Sequence, residues 1–206
     1  MGKTDKSLNP LLRTWETPHN IAPFSIINDE HFEPALEIAC AETLIEIEQI
    51  TANNHAPTFE NTIEALFKTG QLLDQVISTF YTIAGAHTNE KRDQLLLVFS
   101  TKLSDHNTKI YSNTELFERI DSVVETKKLQ NLNNEQARVL MLVHRNFVRS
   151  GAALKGENRE KFQTITRKLA EIGTRFSQNL LNDERDWFMK LDLSLIHISE
   201  PTRPYW

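Results

Sequence analysis

A single cysteine among 206 residues, Cys40, has no partner for an internal disulfide. The chain is therefore not a stapled secreted domain, and its cysteine usage suits a reducing, cytoplasmic setting. Glycine is scarce as well, with six residues, and runs of β-branched residues at period two are absent. A β-protein needs more turn residues and more alternation than this, so the composition points to helix. No apolar run approaches the roughly 18 residues needed to cross a bilayer. The polar stretch Met1–Lys6 is followed by no apolar segment, which reads as no secretory signal. An excess of positive charge is missing too: 23 Lys and Arg stand against 28 Asp and Glu, for a formal net charge of -5. A nucleic-acid partner requires a basic face, and this balance argues against one. The same features predict no membrane partner.

What is present is enough for a packed core, with 39% hydrophobic and 25% charged residues. Residues 1–28 read as an extended leader, because Pro10, Pro18 and Pro23 break any helical register. Leu11, Leu12, Trp15, Ile21 and Phe24 make it an apolar strap rather than a loose tail. A first helix is expected from about Asp29 to Thr51, with Phe32, Ala35, Leu36, Ala39, Ala41, Leu44, Ile47 and Ile50 on its apolar side and Pro34 in its first turn. A second starts at the N-cap Thr58 and carries Ile63, Leu66, Leu73, Val76, Phe80 and Ile83. Gly70 interrupts that stripe at a cost of about 1 kcal/mol, which implies a close neighbouring backbone. The turn Ala86–Asn89 precedes a third helix marked by Leu95, Phe99, Leu103 and Ile110. A short fourth follows Asn113, with Leu116, Phe117, Ile120 and Val124. Asn133 and Gln136 have capping-box spacing for a fifth, which runs past Leu140, His144 and Phe147 to a C′ glycine at Gly151.

The sixth helix has the clearest period: Phe162, Ile165, Leu169, Ile172, Phe176 and Leu180. Burying six such side chains contributes about 1.5–3 kcal/mol each, while ordering the backbone costs about 1 kcal/mol or more per residue, so this helix is expected to pack on partners. The fold class is all-α: about six amphipathic helices in an antiparallel, bundle-like array over residues 29–191. Residues 192–206, containing LSLIHISEPTRPYW, read as the in-frame translation of a sequencing adapter and are expected to be a non-native tail.

Chemistry is harder to find. A helical zinc pair needs two histidines four residues apart, as in HExxH. His19, His31, His55, His87, His106, His144 and His197 offer no such pair. Gly151 and Gly156 have the step of a P-loop, but Glu157 stands where the lysine belongs and would repel a phosphate. There is no GxSxG. Cys40 lies on the apolar side of its helix and reads as a structural thiol. His144 reads as a packed or surface histidine, and His87 as serving its turn. Glu46/Glu48 and Asp183/Glu184 read as solvated faces. The sequence thus predicts no catalytic residue and no metal ligand in this chain, and substrate-binding residues cannot be named from it.

Several segments, in order, carry a resemblance. They are Asn9-Pro10-Leu11-Leu12, Trp15, Thr17-Pro18, Ala22-Pro23-Phe24 and His31-Phe32-Glu33-Pro34-Ala35. Phe59 to Leu66 (FENTIEAL), Ala86-His87-Thr88-Asn89, Glu115 to Asp121 (ELFERID), Phe147 to Ala152 (FVRSGA) and Phe176-Ser177-Gln178-Asn179 follow. Together they resemble the N-terminal part of the thimet-oligopeptidase-like zinc metallopeptidases, in particular the peptidyl-dipeptidase (dipeptidyl carboxypeptidase) branch, over about residues 8 to 191. The resemblance implies a cytoplasmic hydrolase, almost wholly helical and some three times longer when complete. In such an enzyme a downstream HExxH helix and a further Glu hold zinc, which polarises water for peptide hydrolysis. It implies short peptides as substrates, release of C-terminal dipeptides, and a channel wall built by the N-terminal helices. This chain would then be a fragment that lacks the C-terminal catalytic domain, is inactive by itself and holds no zinc. Phe67 departs from the family's polar residue and is expected to leave an exposed ring. The alternative reading is a non-catalytic helical protein-interaction module.

Overall fold

The computed structural model describes residues 9–87, 89–128 and 130–186. The expected tail, 192–206, and the first residues of the leader lie outside them. All the described regular elements are helical, as an all-α class requires. They fall into two compact units that divide between Leu154 and Lys155.

In the first unit the leader is fastened to the core at its start. The Asn9 carboxamide accepts from the Leu11 amide and donates to the His31 carbonyl, at 3.0 and 2.8 Å. This holds a turn of 3-10 helix, Pro10–Leu12, and carries Leu11 into full burial. The Trp15 indole N–H donates to the Pro10 carbonyl at 2.9 Å. Ile21, Phe24 and Ile26 remain exposed.

Helix α1 spans Phe32–Thr51 and follows a 3-10 turn, Asp29–His31. Its buried positions are Phe32, Ala35, Leu36, Ala39, Thr43, Ile47 and Ile50. Thr43 takes a place on this face that the apolar pattern gave to Ala41, which is exposed. Its hydroxyl is satisfied by the Ala39 carbonyl at 2.9 Å, which is how a polar side chain is tolerated there.

The expected second helix is instead two pieces. A π-helical turn, Phe59–Glu64, runs into α2, Ala65–Lys68, and α3 begins afresh at Gln71 and ends at Ala86. The break is Gly70, whose φ of +76° is left-handed, a conformation costly for any residue with a Cβ. The close neighbour is a side chain and not a backbone: a Cβ at Gly70 would lie 3.4 Å from Thr43 Cγ2. Helix α4 is Glu90–Tyr111 and α5 is Thr114–Thr126, each N-capped by an asparagine, Asn89 and Asn113. Helix α6, Asn134–Arg149, opens with the Asn133/Gln136 capping box. It closes with Gly151 at φ +84°. The Ala152 amide bonds the Phe147 carbonyl and the Gly151 amide bonds that of Val148, a Schellman ending.

Helix α1 serves two cores. Its N-terminal half packs with α3, α4 and the leader around Phe32, Phe80 and Phe99. Phe80 stacks on Phe99 at 3.9 Å and meets the edge of Phe32 at 5.1 Å. Its C-terminal half, through Ile47 and Ile50, joins Phe59, Ile63, Leu116, Ile120, Val123, Leu140 and Phe147. Ion pairs fix the rim of the first core: Arg92 Nε meets Asp29 at 2.8 Å, and Lys102 reaches both Glu33 and Glu37.

The second unit contains α7, Gly156–Asp186. The periodic residues fall on one helix as expected, but the stripe is not buried. Ile165, Leu169, Ile172, Phe176 and Leu180 are each at least half exposed.

Candidate functional site

An open cleft of about 390 Å³ lies where the C-terminal end of α1 meets the π-helical turn and α2. Its walls include Glu46, Gln49, Asn53, Asn61, Lys68 and Thr69. Most of this polar lining is already engaged. Glu46 Oε2 accepts from the Gly70 amide at 2.7 Å, so this carboxylate caps the N-terminus of α3 and is not the solvated group that the sequence suggested. A carboxylate there meets the positive end of the helix dipole. Asn61 forms a capping box with Thr58 and donates to the Ala56 carbonyl at 2.9 Å. Asn53 Oδ1 accepts from the His55 amide at 2.9 Å. Lys68 pairs with Glu64 at 2.6 Å.

Arg119 stands behind this wall, on α5. Its guanidinium donates to the Asn53 carbonyl at 2.7 Å and to Asn61 Oδ1 at 3.2 Å, tying α5 to the loop that follows α1. Its Nε is buried without a hydrogen-bond partner, and burial lowers its pKa. Sequence reasoning passed over Arg119, although the signal was present. It falls on the stripe of Leu116, Ile120 and Val123, where an arginine at a core position demands acceptors.

His106 was passed over in the same way. It fills the gap in the α4 stripe between Leu103 and Ile110, is 4% exposed, and has no partner for either ring nitrogen. Burial, followed by the nearby Lys109 charge, lowers its pKa. His144 is a packed histidine: Nε2 lies 2.9 Å from Asp121 Oδ1 and the ring stacks on Phe117 at 5.7 Å. The pair clasps α5 to α6. His87 serves its turn as expected, its carbonyl and ring facing the Arg92 guanidinium. Cys40 is half-buried beside the first core, and burial raises its thiol pKa against the opposing pull of Lys102 and Lys109. Phe67 is 67% exposed, an uncovered ring as its departure from the pattern implied.

Among the described residues, no three His, Cys, Asp or Glu side chains gather to hold a metal ion. That donor set does not fit zinc, which needs three or four converging ligands. Among the same residues no helix is long and apolar enough to cross a membrane. The polar groups described above act as caps and clasps between helices.

Comparison with known proteins supplies what the geometry does not. No family model matches the chain. It is 34% identical over 175 residues, 85% of its length, to dipeptidyl carboxypeptidase of Salmonella typhimurium, and 33% identical over the same length to that of Escherichia coli. Oligopeptidase A of Salmonella typhimurium is 24% identical over 179 residues, 87% of the chain. Each alignment covers 26% of the relative, so the chain spans about a quarter of the length of the curated relatives it matches. Over that span it belongs with the dipeptidyl carboxypeptidases and oligopeptidases A, in the thimet-oligopeptidase-like family of peptidases.

Proposed function

We propose that this chain forms the N-terminal, channel-wall part of a zinc-dependent peptidyl-dipeptidase that releases C-terminal dipeptides from short peptides in the cytoplasm. The observation that carries the reading is the 34% identity over 85% of the chain to a dipeptidyl carboxypeptidase, together with the resemblance of its ordered segments. On this reading the catalytic residues, the zinc ligands and the rest of the enzyme's wall come from polypeptide beyond these residues. On the same reading the role of residues 9–186 is architectural: they supply helical wall, and no proton transfer, nucleophile or ligand. The engaged cleft at Glu46, Asn53 and Asn61 agrees with such a role, because its polar groups hold helices together and leave few free to grip a substrate. The uncovered stripe on α7 agrees with a helix that has a further packing partner.

The test has two arms. The purified chain, given a blocked tripeptide-like substrate, is expected to release no dipeptide and to hold less than one zinc per molecule. Release that a chelator abolishes would overturn the site-free reading. Extending the reading frame of the source gene is expected to reveal HExxH on a helical segment, and a longer frame without that motif would remove the assignment to a zinc peptidase.

A further inference from the structure

The two cores of the first unit are divided by a polar level inside it. Helix α1 leaves the first core at Ala39 and Cys40 and enters the second at Ile47, and the buried residue between is Thr43. Helix α4 leaves the first core at Leu103 and enters the second at Ile110, and the buried residue between is His106. Gly70 abuts Thr43 at this level, and Glu46 holds the Gly70 amide. Thr43 is satisfied by the Ala39 carbonyl. His106 is the exception, 4% exposed with both ring nitrogens unpartnered. Ion pairs fasten α4 on the first-core side of that ring: Lys91 to Glu30, Arg92 to Asp29, and Lys102 to Glu33 and Glu37. Beyond the ring α4 joins the second core through Ile110 and Tyr111.

A neutral imidazole is tolerated in such a layer. An imidazolium brings a charge and a second N–H donor, and finds no acceptor for either. The charge that acts on the ring is Lys109 of its own helix, which opposes a proton there. Across from α4, helix α1 presents Cys40, on which Lys102 and Lys109 both act and which burial holds as the neutral thiol. The α1 carboxylates Glu33 and Glu37 are taken by Lys102, and Glu46 by the Gly70 amide. We infer that His106 is a proton-operated release between the two cores: protonation of its ring frees the C-terminal turns of α4 from α1 and leaves the first core closed. Burial, followed by Lys109, holds the ring's pKa below the ordinary 6.5 while the layer is shut. As pH falls, the opened form therefore takes up the proton first, and opening grows by up to about tenfold per pH unit just below 6.5. At that pH the Asp29 carboxylate, whose pKa lies below 3.8, still holds Arg92. The inference goes beyond the peptidase reading and needs only residues of the first unit.

Hydrogen–deuterium exchange of the full chain at pH 7.5 and 5.5, each corrected for the intrinsic rate, tests this. Peptides over residues 106–111 are expected to lose protection at pH 5.5 by up to about tenfold. Peptides over residues 93–101, on the side fastened by ion pairs, should keep theirs. His106→Leu and His106→Gln should each remove the pH difference at 106–111. Glutamine stays polar but takes up no proton, so it separates the effect of charge from that of packing. Equal loss of protection along the whole of α4 would make the event a global unfolding and overturn the proposal. Unchanged protection at 106–111 would overturn it as well, and so would a pH difference that persists in either variant. None of these outcomes bears on dipeptide release or on the downstream motif, so failure here is separable from failure of the peptidase reading.

Discussion

His106 occupies the place on α4 where the pattern asks for an apolar residue, and both of its ring nitrogens are buried without partners. The neutral ring is tolerated at the cost of lost hydrogen bonds, whereas the charged ring would add desolvation and the nearby charge of Lys109. The folded-state pKa therefore lies below the ordinary 6.5. As pH falls below that value the unfolded chain takes up the proton first, so stability is lost downward from about 6.5 towards the depressed value. Urea midpoints measured between pH 7.5 and 5 should fall, and His106→Leu should flatten that slope while leaving the midpoint at pH 7.5 equal or higher. A separate loss belongs to Asp29. Its burial raises the pKa, but hydrogen bonds from Arg92 and Asn89 outweigh this and bring it below 3.8. The stability from that pair is present at neutral pH and disappears only as pH drops through the acid range below 3.8, so the two windows can be told apart. Cys40 gives a second prediction at this scale. Its raised pKa and half-burial keep it as thiol, so its reaction with a disulfide reagent at pH 7.5 should be roughly tenfold slower than that of free cysteine. A rate matching free cysteine would contradict the packing described for it.

Two glycines of one region provide a contrast at the scale of elements. Gly70 is left-handed and abuts Thr43, so Gly70→Ala should destabilise by about 1–2 kcal/mol. Gly85, inside α3, has open space where a Cβ would go, so Gly85→Ala should stabilise by about 0.5–1 kcal/mol. Paired urea titrations measure both, and equal signs would contradict the break described between α2 and α3. That break also shows what the sequence makes legible and what it conceals. The capping box at Asn133 and Gln136, the glycine ending of α6 and the stripes of α4 and α5 all read directly, because local hydrogen bonding and helical period decide them. Gly70 read only as an interruption. Its positive φ, and the Glu46 carboxylate that caps the helix it starts, depend on α1 lying alongside, and no local pattern carries that. Arg119 and His106 hid for a related reason: a stripe is recognised by its apolar members, and the polar residue on it passes unnoticed. The cleft was not legible in the sequence, since its polar groups are joined by contacts between residues some 60 positions apart.

The molecule as a whole divides between Leu154 and Lys155, just beyond the glycine turn that ends α6. Lys155 is exposed, so brief trypsin digestion should cut there early and leave a persistent fragment ending at that residue, identifiable by mass. Survival of the intact chain under the same digestion would show that this boundary is protected. The α7 stripe has a matching signature: the chain should bind a fluorescent apolar dye such as ANS, and the pair Leu169→Asp/Phe176→Asp should remove most of the signal. Helix α1 has a further consequence for how the gene can change in length. It meets one core through its first half and the other through its second, and it delivers Glu46 to Gly70 between them. One codon added near its middle would rotate every later residue of the helix by about 100°, swinging Glu46, Ile47 and Ile50 away from their partners together. A codon added to the segment 52–57 would leave the helix register intact and disturb only the local contacts of the Asn53 and Ala56 carbonyls. Insertions and deletions that separate this protein from its relatives should therefore collect in that connection and spare α1.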